Sequence, residues 1–119
     1  MKENFNMQRC EDDKHENTVK RAINEMPNEQ DLQTMCSIFK VLGEPSRMKI
    51  ILALAEGEMC VFHIMQAVQG QQSAVSHQLR ILKDNKIIKS RRDGKNILYS
   101  ISDNHVQKII EMSKAHLNC

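Results

Sequence analysis

The stretch Cys60-Val-Phe-His-Ile-Met-Gln-Ala-Val-Gln-Gly70-Gln-Gln-Ser73-Ala-Val-Ser-His-Gln-Leu-Arg80-Ile-Leu-Lys-Asp-Asn85 decides how this chain is read. Its first part predicts a short helix over about Cys60–Val68 that ends at Gln69-Gly70. A polar turn follows, and Ser73 is expected to cap a second helix running to about Asn85. Val75, Leu79 and Leu82 recur at helical spacing and form its buried stripe. A short helix, a glycine-containing turn and a second helix with polar first turns make a helix-turn-helix layout.

Working toward the N-terminus, Gly43-Glu-Pro45 separates two helical patterns. One carries Leu32, Met35, Cys36 and Phe39; the other carries Met48, Ile51, Leu52 and Leu54. Residues 1–28 are polar and mixed in charge and read as a flexible arm, with some helix around Thr18–Asn24. Toward the C-terminus, two strands are expected at Ile87–Arg91 and Asn96–Ile101. Arg92-Asp-Gly-Lys95 joins them, and Asp-Gly between apolar runs is a hairpin signal. A last helix starts near Asp103. The expected fold is mainly α with a small β-hairpin: a winged helix-turn-helix of about five to six helices and a two-stranded wing, occupying residues 29–119.

In such a motif the first turns of the second helix meet base edges in the major groove of DNA. Here Ser73, Ser76, His77 and Gln78 have hydrogen-bonding side chains of suitable reach, and Arg80 suits a phosphate or a guanine. Arg91, Arg92 and Lys95 make the hairpin basic, as a wing against the DNA backbone requires.

Charge supports this placement. The 119 residues carry a formal net charge of only +2. Residues 1–39 are net −3, residues 40–99 net +5 and residues 100–119 neutral, so a basic middle segment is where a polyanion would bind. With three Phe, one Tyr and no Trp, the chain lacks a stacking platform for single strands. Ile50–Ala55 is the longest apolar run, too short to span a membrane, and the N-terminus has no apolar signal core, so a cytoplasmic protein is expected. No phosphate-binding loop, nucleophile elbow or HExxH occurs, and an enzyme is not expected.

Glu58-Met-Cys60-Val, Ser73-Ala-Val-Ser-His-Gln-Leu-Arg80 and Arg92-Asp-Gly-Lys95 through Leu98-Tyr-Ser-Ile101 resemble the ArsR/SmtB family of winged-helix metal-sensing repressors, over about residues 31–119. The resemblance implies a homodimer, joined through its first and last helices, that binds double-stranded operator DNA when metal-free and releases it when metal binds. It also implies a metal site on the last helix, of the form Asp-x-His with a His and a fourth donor downstream.

Asp103, His105, His116 and Cys119 fall into that register. His105, Ile109, Met112, His116 and Cys119 share one face. The Asp103/His105 and His116/Cys119 pairs lie roughly 15–18 Å apart along the helix, so one ion cannot reach both. An antiparallel copy across a two-fold axis brings one chain's first pair beside the other's second pair, giving two four-ligand sites per dimer. Two imidazoles, a carboxylate and a thiolate suit Zn²⁺; the thiolate also admits Cd²⁺, and Co²⁺ or Ni²⁺ fit such donors. Cys119 departs from the family, where His or Glu is more familiar.

A second family site uses Cys-Val-Cys with N-terminal cysteines. Here Phe62 of Cys60-Val-Phe-His63 stands in place of the second thiolate. Cys60 is therefore expected to pack as a small apolar residue, Cys10 and His15 to be solvated, and Cys36 to lie in the core or a dimer interface. The other function this chemistry admits is a thiol-based redox or sulfur-responsive repressor on the same scaffold, using Cys36 or Cys60 with Cys119.

Overall fold

The computed structural model describes residues 13–118. They fall into two compact units, one ending at Thr34 and the other beginning at Met35. In the first, α1 spans Asp13–Glu25, longer than the helix expected around Thr18–Asn24. Asn28 starts α2 (Glu29–Leu42), its side-chain oxygen accepting from Asp31 N–H at 2.8 Å.

The second unit holds the predicted motif. Glu44 caps α3 (Pro45–Leu54) by accepting from Arg47 N–H, and Pro45 occupies the first turn, where no amide donor is needed. The two-residue strand β1 (Met59–Cys60) leads into α4 (Val61–Val68). That helix ends at Gln69 in the left-handed region, φ 55°. A Cβ on the following Gly70 would lie 3.0 Å from a methyl of Val75 and 3.2 Å from one of Val68, so a larger residue would have to push both valines by a few tenths of an ångström.

This tight turn brings the chain into α5 (Gln72–Asp84) earlier than expected. Gln71, with no side-chain cap bond, is the N-cap, and Val75 N–H already bonds to the Gln71 carbonyl at 2.9 Å. Ser73 therefore lies inside the first turn, and its expected capping role is not observed. Strands β2 (Ile88–Asp93) and β3 (Asn96–Ile101) form the hairpin. Asp93 pairs with Asn96, so the connection is two residues, Gly94-Lys95, rather than four. Gly94 at φ +63° supplies the positive dihedral such a turn needs at its first central position.

The hairpin is not two-stranded. Strand β1 pairs antiparallel with β3, giving a three-stranded sheet in the order β1-β3-β2. Helix α6 (Asn104–His116) follows, capped by Asp103. The core joins Leu42 of α2, Ile50, Ile51 and Leu54 of α3, Ile64 of α4, Leu79 and Leu82 of α5, Ile88 of β2 and Ile110 of α6. The six helices and small sheet of the described residues make a winged helix-turn-helix. No helix of the described residues is long and apolar enough to cross a membrane.

Candidate nucleic-acid interface and metal-ligand helix

Helix α5 buries Val75, Leu79 and Leu82 and leaves Ser73, Ser76, His77 and Arg80 exposed. Gln78 stands apart from them. It is half-buried on the flank toward α3, and its Oε1 accepts from Arg47 Nη1 at 3.2 Å. Guanidinium only donates, so the Gln78 amide oxygen must face Arg47. Arg47 Nε also donates to the Val41 carbonyl, 2.9 Å away, near the end of α2. One side chain of α3 thus ties the end of α2 to the reading helix.

Alternation along the sheet separates two neighbouring arginines. Ile88, Ser90 and Arg92 point to one face, on which Ser90 lies opposite Tyr99 and Ile88 is buried against the core. Lys89 and Arg91 point to the other. There Arg91 reaches back across β3 to Glu58, its Nε donating to Oε2 at 3.0 Å and its Nη2 meeting Oε1 in a second contact. This forked pair lowers the Glu58 carboxyl below its ordinary value and raises Arg91 above its own, the shared hydrogen bonds being the main cause of both shifts. Arg92 and the turn residue Lys95 are exposed and form no ion pair among the described residues.

A cleft of about 440 Å³ opens between α5 and β3, lined by Ser76, Leu79, Arg80, Lys83, Asp84 and Tyr99. Sequence reading missed Lys83 and Tyr99 as members of this surface. The signal existed: Lys83 lies three and seven residues beyond Arg80 and Ser76, and Tyr99 shares the strand alternation of Ile101.

On α6, the Asp103 Oδ1 atom accepts from His105 N–H at 2.9 Å and Val106 N–H at 3.1 Å, and it lies 3.7 Å from His105 Nδ1. The two side chains form an exposed pair at the start of the helix, with the second Asp103 oxygen outside the cap. His116 closes the last turn, also exposed, and eleven residues of helical rise put it about 16 Å away along the axis. Cys119 and Cys10 lie outside the described residues. Among the described residues no three His, Cys, Asp or Glu side chains come together as a metal-binding group. Of the four expected donors, the described residues bring together Asp103 and His105, which is two ligands and not a complete metal site.

One cysteine expectation narrows and one needs correction. Cys36 is exposed in the single chain, which removes the core and leaves the dimer interface of the two places expected for it. Cys60 is half-buried rather than packed away: as N-cap of α4 it turns its Sγ to within 3.4 Å of His63 Nδ1, because three residues of helix bring these side chains to one face.

Comparison with known proteins follows the same lines. Residues 44–90 match the family described as bacterial regulatory protein, arsR family. The chain is 39% identical over 103 residues to a transcriptional repressor SmtB homolog of Synechocystis, covering 87% of this chain and 78% of that one. It is 34% identical over 103 residues to a cadmium resistance transcriptional regulatory protein CadC homolog of Staphylococcus aureus, covering 86% and 84%. Among solved structures, the AntR antimony-specific transcriptional repressor superposes with a TM-score of 0.70 at 30% identity, covering 82% of this chain and 90% of that one.

Proposed function

Because the chain belongs to the ArsR family of DNA-binding transcription regulators, which are not enzymes, we propose that it is a cytoplasmic, homodimeric repressor that holds operator DNA when metal-free and releases it on binding Zn²⁺. Cd²⁺ is the main competing inducer, given the Cys119 thiol and the cadmium resistance named for one relative. The observation that carries the metal reading is the division of donors on α6. Asp103 and His105 sit together at its start, and His116 is the donor among the described residues at its end.

Ser73, Ser76 and His77 reach base edges from α5, and Arg80, Arg92 and Lys95 neutralise phosphates. Asp103 and His105 of one chain face His116 and Cys119 of its copy. The ion, when bound, supplies a crosslink between the two terminal helices. None of these residues belongs to α5, so they act through the dimer: two half-sites near one helical turn, ~34 Å, apart demand one spacing of the reading helices. Held together, the α6 pair fixes a different spacing. Exposed Met35 and Phe39 on α2 and Met112 on α6 offer the apolar surface for dimerisation. The test is binding to DNA from upstream of the protein's own gene, with and without Zn²⁺. Salt-sensitive binding that Zn²⁺ weakens supports the reading, and binding indifferent to Zn²⁺ contradicts it.

The Cys60–His63 contact favours a second reading, a thiol-responsive repressor. Release by oxidant that chelator does not prevent, lost in Cys60→Ser, would select it over the metal sensor.

A further inference from the structure

We propose that the cleft between α5 and β3 is a seat for the DNA backbone, in which Lys83 and Tyr99 grip a phosphate; this rests on the DNA-binding reading above. With α5 in the major groove and the hairpin tip over the adjacent minor groove, the phosphodiester strand dividing the two grooves must pass between helix and wing. The cleft lies between those two elements, α5 and β3. Its walls carry donors from both sides: Ser76, Arg80 and Lys83 from the helix, and Tyr99 from the sheet. Neither Arg80 nor Lys83 is ion-paired among the described residues, and the Tyr99 hydroxyl has no hydrogen-bond partner among them.

The sheet explains why Tyr99 is presented there. On one face of β2 and β3, buried Ile88 and half-buried Ile101 come first, Ser90 and Tyr99 next, and exposed Arg92 and Ile97 last. Tyr99 therefore stands where the core gives way to solvent, its ring packed against the core and its hydroxyl able to meet a phosphate. It also lines a separate cleft, with Cys60, Val61 and Phe62 at the start of α4 and Lys95, Asn96 and Ile97 near the hairpin tip. Asp84 also lines the first cleft, so two cations, Arg80 and Lys83, stand there against one carboxylate.

A phosphate contact makes no distinction between sequences, and a cationic one releases counterions. The affinity of the metal-free full chain is measured against salt concentration on two duplexes, one from upstream of its own gene and one unrelated. Lys83→Gln is expected to reduce the slope of log affinity against log salt by about one on both duplexes. Lys83→Arg is expected to restore it. Tyr99→Phe is expected to weaken both duplexes by the same factor, about three- to tenfold, with the slope unchanged, because a neutral donor displaces no cation. Lys108→Gln, the same charge change on α6, is expected to leave both quantities at their parental values. A parental slope in Lys83→Gln, a parental affinity in Tyr99→Phe, an effect confined to one duplex, or an equal slope change in Lys108→Gln overturns the proposal. A parental chain that binds neither duplex overturns the DNA-binding reading and this seat with it.

Discussion

At Asp103 the oxygen that accepts the His105 and Val106 amides starts α6, and the same side chain is the first donor of the proposed shared site. Two substitutions separate these roles. Asp103→Asn keeps a good cap while removing the charge, so metal affinity should fall with little change in melting temperature. Asp103→Ala should lose both, with a stability cost of about 0.5–2 kcal/mol. Gln78 and His77 differ in a similar way. His77→Ala should relax base preference at particular operator positions, whereas Gln78→Leu should weaken all sequences alike, because its amide is turned to Arg47. Selection from a randomised duplex library reads the difference, and a position-specific change in Gln78→Leu would restore it to the reading set. Residue types and helical spacing marked both as polar members of one helix. The Arg47 that withdraws Gln78 lies 31 residues away, where no local pattern reaches.

The elements legible in advance were those with a period to read. Helix α5 follows from its apolar spacing, and the hairpin from Asp93-Gly94 between apolar runs. Strand β1 has two residues and no alternation to detect; it exists because β3 offers it an edge. The same long-range pairing sets Glu58 against Arg91, 33 residues apart. Arg91→Ala should therefore reduce the salt slope of DNA binding less than Arg92→Ala does, and equal reductions would contradict the division of the two strand faces. The ion pair also predicts a pH dependence. The Glu58 carboxyl titrates below its ordinary value in the folded chain, so its contribution to stability is complete above the ordinary carboxylate range and is lost as pH falls through the depressed value. The melting-temperature gap between the parent and Glu58→Gln should accordingly close on acidification. A gap that stays constant down to acid pH would show that the pair does not lash the wing in solution.

For the whole molecule, the exposed apolar side chains of α2 and α6 are the physical reason to expect a dimer. Phe39 is 59% and Met112 73% exposed in the single chain. Phe39→Glu should dissociate the dimer in sedimentation and weaken DNA binding with it. Sharing of the metal sites has its own test. An Asp103→Ala/His105→Ala chain mixed with a His116→Ala/Cys119→Ala chain should give a heterodimer with one intact site, while each variant homodimer has only half-sites. The central claim is that metal and DNA oppose each other through that dimer, and linkage makes the opposition reciprocal. A full switch from 1:99 to 99:1 requires about 5.5 kcal/mol of differential binding. The most direct measurement is Zn²⁺ affinity of the free dimer and of the dimer saturated with operator DNA. DNA should weaken Zn²⁺ binding by the same factor by which Zn²⁺ weakens DNA binding. Equal Zn²⁺ affinity in the two states would contradict it.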